Sequence, residues 1–437
     1  MTTTHVLPAL DSSIHSDQSN GRFRLKASIT SIMLLFSIPA AHATNGYFSH
    51  GYGVKAEGIA GVGIALPQDS LAASTNPAGL AWVGNRLDVG GTLFVPNRHS
   101  DITGNGAGPD SAFSGNDREL FLLPSLGYSR VIRPDLVAGI AAYGNGGLNT
   151  DYKNNPYARF GATGSAGVNL AQLFITPSIA WKINERNALG LAVNLAYQRF
   201  SAKGLNAFAP FSSNPGKLTD QGNDSATGAS LRLGWTGQLN DQLTLGATWQ
   251  SHTSMGKFDK YQGLFADGGG FDIPSTYGLG IAYQVNPQWT VAADVQRILY
   301  SKVNSVGNDV AKLFAGVPLG ASNGPGFGWR DINVLKLGAQ YQYSPNLILR
   351  GGISKSGQPV PANQTLFNIL APDVVELHLT LGGTWQLDSH NEISASYLHA
   401  FNKRVSGSNA IPPSFGGGNA NIELSEDALG LSWSHQF

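Results

Sequence analysis

The residues of this chain that could do chemistry are few and dispersed. His50, His99, His252, His378, His390, His399 and His435 fall far apart, without the spacing of a metal site. Serines and aspartates are plentiful, but none forms a nucleophile elbow, and no glycine loop has the pattern that cradles phosphate. The sequence predicts no catalytic residue, no metal ligand and no cofactor, although neighbouring strands could assemble a Ser/His pair. Binding chemistry is more evident. Leu205, Phe208 and Phe211 lie in one polar stretch, and Phe258, Tyr261, Leu264, Phe265 and Phe271 in another. Apolar clusters on exposed loops call for a ligand, a partner or a membrane contact.

The elements that carry these residues follow a period of two. Val375, Leu377, Leu379, Leu381, Trp385 and Leu387 share one face, with Glu376, His378, Thr380, Thr384 and Gln386 on the other. A helix would scatter both sets. Leu189–Tyr197, Tyr277–Tyr283 and Leu429–Phe437 repeat the pattern. Tight turns at 133–135, 184–186, 240–241, 286–288, 344–346 and 388–390 carry Pro, Asn, Asp or Ser. Longer loops near 99–117, 150–167, 204–225, 258–272, 304–328, 357–371 and 406–421 alternate with them. Six turns and seven loops join 14 strands, which describes an antiparallel transmembrane β-barrel. A soluble sandwich or propeller would leave the turn–loop asymmetry unexplained. Aromatic residues near strand ends, among them Trp181, Trp289, Trp385 and Trp433, fit an interfacial girdle.

Composition agrees. The 437 residues include 55 Gly and no Cys, and 13% are charged, against about a quarter in soluble domains. A formal net charge of +0 leaves no footprint for nucleic acid. The missing Cys excludes a disulfide framework. Arg22, Arg24 and Lys26 precede an apolar run to Ala40 and then Ala41-His42-Ala43, a cleavable export signal. Residues 1–43 are thus expected to be removed, which leaves a chain of net charge about −1.

Thr44–Gly84 is rich in small residues and needs a container, so we read it as a plug (hatch) inside a barrel of residues 85–437. Asp69 or Ser70 can cap a short helix, and Pro77 ends it by pushing Asn76 out of the α region. By parity Lys336 faces the lumen, because Leu335, Leu337, Ala339 and Tyr341 take the lipid face. Arg330 shares its parity, and either cation could neutralise an acidic head group. In the third strand, expected over Leu136–Asp151, the alternation breaks at Tyr143-Gly144-Asn145-Gly146-Gly147, a site for a bulge.

The stretch NGYFSHGYGVKAEGIAGVGIALPQDSLAASTNPAGL, with Asn76-Pro77-Ala78 just before the first strand, resembles the N-terminal plug of the FadL/TodX family of Gram-negative outer-membrane transporters. GISKSGQPVPANQ (352–364) is similar to the family's penultimate long loop. The resemblance implies passive, hatch-gated uptake of a hydrophobic small molecule, a long-chain fatty acid or an aromatic hydrocarbon. It also implies capture at the two aromatic loops and lateral exit at the third-strand kink. A monomer in contact with outer-membrane lipid and lipopolysaccharide, without enzymatic activity, is then expected. A polar-solute porin and an adhesin or receptor barrel are the competing readings.

Overall fold

The computed structural model describes residues 44–437, so the export signal expected over residues 1–43 lies outside the described residues. Fourteen antiparallel strands build the wall: β1 (Arg86–Thr103), β2 (Phe121–Arg133), β3 (Leu136–Tyr152), β4 (Ala166–Asn184), β5 (Asn187–Lys203), β6 (Asp224–Gln238) and β7 (Leu243–Gln250). They continue with β8 (Thr276–Gln284), β9 (Trp289–Ile298), β10 (Ile332–Ser344), β11 (Leu347–Ser356), β12 (Leu377–Gln386), β13 (Asn391–Gly407) and β14 (Asn419–Gln436). Each pairs with its sequence neighbour, and β14 closes on β1 from Asn419↔Thr103 to Gln436↔Arg86. Closure of β14 on β1 joins the first and last strands, as a sheet in hydrocarbon requires.

The alternation read from sequence sorts as expected. Leu279 is 67% exposed, Trp385 64% and Leu431 59%, on the outside, whereas Asn194, Gln198, Asp294 and His378 are buried inside. The turns repeat one device. The side-chain oxygens of Asn184, Asn240, Asn286 and Asp388 each accept from the backbone N–H groups two and three residues on, at 2.8–3.0 Å. At Asp388 the Asn391 side-chain amide, followed by the backbone N–H groups of His390 and Asn391, holds the carboxyl below its ordinary range.

Thr44–Gly84 occupies the lumen. Asp69 caps a 3₁₀ turn over Ser70–Ser74, its carboxylate accepting from the Leu71 N–H at 2.9 Å. Asn76-Pro77-Ala78 ends that turn, but it also begins a second one over Pro77–Trp82, where the Asn76 side chain accepts from the Ala78 N–H at 3.1 Å. The chain enters β1 only after Gly84, whose φ of 74° suits glycine.

Lumen-facing glycines make room for this segment. A Cβ at Gly190 would come closer than 3.0 Å to the backbone of Pro77 and Ala78. Gly234 would meet Asn76, Gly246 Ile64, Gly352 Ala60 and Gly382 Gly58, all equally close. The wall glycines thus form a cast of the plug. Gly190→Val, which suits a strand but collides with Pro77 and Ala78, is expected to weaken plug seating by about 1–3 kcal/mol. Ion conductance in planar bilayers should rise while the barrel keeps its heat-modifiable mobility on a gel. Unaltered conductance would refute the steric fit.

Candidate functional site

The lumen holds an ionic latch between plug and wall. In the α-helical turn α1 of the plug (Val54–Glu57), Lys55 pairs with Glu392 of β13. The same carboxylate takes Arg86 of β1 at 2.6 Å, and Arg86 binds Asp88 at 2.7 Å. Asp88 in turn accepts from the backbone N–H (2.9 Å) and the hydroxyl of Ser70. All of these side chains are under 8% exposed. Removing one partner of such a buried cluster leaves the others uncompensated. Glu57 accepts hydrogen bonds from Thr92 (2.8 Å) and Ser396 (3.3 Å), yet burial pushes its carboxyl up to about 7.

A second set of bonds reads the plug backbone. Asp294 accepts from the N–H groups of Gly63 (2.8 Å) and Ile64 (3.0 Å). Lys336 donates to the carbonyls of His50 (2.9 Å) and Gly61 (3.2 Å). Lys336 therefore faces the lumen as its parity implied, with its ammonium engaged by the plug. Arg330 departs from expectation: β10 begins at Ile332, so Arg330 lies in the preceding loop and is exposed. Asn76 donates to the carbonyls of Ile64 (2.7 Å) and Trp235 (3.0 Å), while Pro77 and Ala78 pack on Gly190.

The wall itself is interrupted between β2 and β3. Their ladder ends at Ser125↔Tyr143, although β1 pairs with β2 up to Phe121 and β4 pairs with β3 up to Tyr152. Phe121–Pro124 and Gly144–Thr150 therefore border a window, and Pro124 has no N–H to offer across it. Above it the wall rejoins, where Asp151 exchanges backbone bonds with Gly115 (3.0 Å) and Asp117 (3.1 Å). The register of β3 against β4 shifts between Gly144 and Gly146, leaving Asn145 as a bulge. The plug covers this place from inside. Phe48 pairs with Gly146, and the Gly147 N–H donates to the Tyr47 carbonyl at 3.0 Å. Asn145 accepts from the Tyr52 hydroxyl (3.1 Å) and donates to Gln172 (3.0 Å).

The aromatic loops correct the expectation of exposure. Leu205, Phe208, Phe258, Tyr261, Phe265 and Phe271 are buried, Leu264 is half-buried, and Phe211 alone of the set is exposed. The long loops pack on one another, which the period-two pattern of the strands could not reveal. Leu205, Phe208, Leu264 and Phe265 still converge, and with Phe200 and Phe367 they line an apolar cavity of about 50 Å³. From it the rings continue inward: Phe265 to Phe271 (4.8 Å between centroids), Phe271 to Tyr47 (6.0 Å) and Tyr47 to Phe48 (5.5 Å). Phe48 is the residue that pairs at the β3 bulge.

The profile of the outer membrane protein transport protein family (OMPP1/FadL/TodX) matches residues 40–437. The chain belongs to this family. It is accordingly an outer-membrane barrel of a Gram-negative bacterium, in a family of transport proteins for hydrophobic compounds. The long-chain fatty acid transport protein of Escherichia coli O6:H1 is 24% identical over 383 residues, covering 77% of this chain and 82% of the relative. That of Salmonella typhi is 22% identical, covering 78% and 84%. Among solved structures, a Pseudomonas aeruginosa FadL homologue superposes with a TM-score of 0.68 at 18% identity, over 90% of this chain and 100% of that one. The Pseudomonas putida toluene transporter TodX gives 0.67 at 21%, with the same coverage. At such identities the structural likeness concerns the fold.

Sequence reasoning missed Lys55, Arg86, Asp88 and Glu392. A usable signal existed: charges on lumen parity in strands that the plug must touch. Glu392→Gln should leave Lys55 without its acid and loosen plug seating by about 3–5 kcal/mol. Hydrogen exchange should then quicken over Val54–Glu57 but not in the strands. Unchanged protection of that turn would show that the latch does not hold the plug.

Proposed function

We propose that this barrel takes up hydrophobic molecules passively, with Thr44–Gly84 as the hatch and the window between β2 and β3 as the lateral exit. One observation carries the reading: the buried aromatic run from the loop cavity through Phe265, Phe271, Tyr47 and Phe48 to the bulged strand. An apolar solute gains nothing by entering a water-filled pore. Each methylene kept out of water contributes about 0.8 kcal/mol, so a conduit for such a solute must offer apolar surface at every stage.

In this reading the loops around Phe208 and Phe265 capture the solute. It advances by displacing Tyr47 and Phe48, whose backbone bonds to Gly146 and Gly147 then open. The solute passes between Phe121–Pro124 and the upper part of β3 into the bilayer, where it remains among apolar neighbours. The family's curated relatives carry long-chain fatty acids and TodX carries toluene by name, so fatty acids and aromatic hydrocarbons are the substrate classes proposed. No covalent step is required. Lys336, engaged by the plug at rest, becomes available to a head group only when the plug moves.

Replacing Phe208 and Phe265 together by Ser should cut hydrophobe uptake by cells at low solute concentration roughly tenfold, since it removes two buried rings from the capture site. Loss of surface attachment alone, with uptake intact, would favour a receptor. Replacing Gly144, Gly146 and Gly147 by Val should regularise β3 and abolish uptake with the barrel still inserted. Undiminished uptake in that variant would place the exit elsewhere.

A further inference from the structure

We propose that Arg98 of β1 bars the upper end of the window and sets how wide a solute can leave through it. The proposal rests on the lateral-exit reading above and deepens it by naming a limit. A single alkyl chain or one aromatic ring passes, and a rigid fused-ring skeleton does not. Arg98 faces the lumen and is 2% exposed. It stands where β1 has lost its partner, after the last pair with β2 at Phe94↔Phe121 and before His99↔Ser114.

From there the side chain reaches both borders at once. Nε donates to Asn116 Oδ1 (3.2 Å) and Nη2 to the Arg118 carbonyl, both on the chain that leads into β2. Nη1 donates to the carbonyl (2.7 Å) and Oδ1 (2.6 Å) of Asn149 on β3. One side chain of β1 thus binds β3, two strands away, across the position that β2 has left. The Phe121 ring, where the other border begins, lies 5.8 Å from the Arg98 guanidinium and 5.7 Å from that of Arg118. A guanidinium carries its donors in a rigid planar fork, so these bonds hold the two borders at one separation.

A plain wall needs no such group. A continuous β2 would meet β3 with backbone alone and bury no charge, whereas all four acceptors of Arg98 are neutral oxygens. A buried cation among neutral partners carries a desolvation cost. That cost has a purpose where a strand has been given up for an opening whose borders must not part. Below Asn149 the opening runs along Gly144–Leu148, about 16 Å of β3 at about 3.3 Å per residue. Its height suits a chain or a ring sliding through, and its width is set by the bar. A rigid fused-ring solute must push the borders apart and break the Arg98 bonds. Arg98 acts on the borders rather than on the solute, and is therefore a positioning residue.

The test measures entry of toluene and of testosterone, a rigid fused-ring steroid, into cells carrying wild type, Arg98→Met or Arg98→Lys. Entry into cells without the channel is subtracted. Lys keeps the charge, in case Met folds poorly, but lacks the planar fork that reaches both borders. Each variant is expected to raise testosterone entry about tenfold relative to toluene, whose own entry stays within about twofold. In the purified variants amide exchange should quicken at Asp117 and Asp151, which bond across the top of the window, and not at Gly63 of the plug. An equal fall for both solutes would make Arg98 a purely structural residue, and an unchanged ratio would overturn the width limit. Wild type admitting no toluene would instead refute the uptake reading, with the exchange result still deciding whether Arg98 ties the borders.

Discussion

In hydrocarbon, a backbone N–H or C=O without a partner is unaffordable, and the architecture follows from that constraint. The ladder closes from β14 to β1 so that no edge remains. Between β2 and β3 the ladder is broken, and there the plug supplies backbone of its own to β3 through Tyr47 and Phe48. Window and plug are thus parts of one arrangement. The plug segment nearest the window pairs with its β3 border.

The lumen inverts the usual core. Its polar side chains are buried because the plug covers them, and some are held by backbone groups that the plug presents at matching positions. Asp294 takes two N–H groups and Lys336 two carbonyls. The fit has a steric part, in the wall glycines, and an electrostatic part, in the cluster of Lys55, Glu392, Arg86 and Asp88.

Much of this was legible from residues alone. Outward leucines and tryptophans at alternate positions defined the strands, and Asn or Asp at 184, 240, 286 and 388 marked the turns. The glycines of 144–147 announced the bulge at Asn145. Legibility ended where residues had to be paired across the chain. Phe208 and Phe265 looked exposed because their loops are polar and long, and nothing local told that those loops pack together. Arg330 looked like a lumen residue because parity was carried two positions beyond the start of β10.

The sequence by itself determined the barrel, its strand number and which face of each strand meets lipid, because period-two alternation and turn chemistry are local properties. Tertiary structure alone decided what the lumen residues touch. Lys55 meets Glu392 across 337 positions of chain, and Ser49 meets Gly144 across 95. Such partners depend on barrel closure and on how the plug is threaded, and no local pattern encodes either. Lys336 illustrates the division: its parity placed it in the lumen, but only the folded plug showed which carbonyls hold its charge.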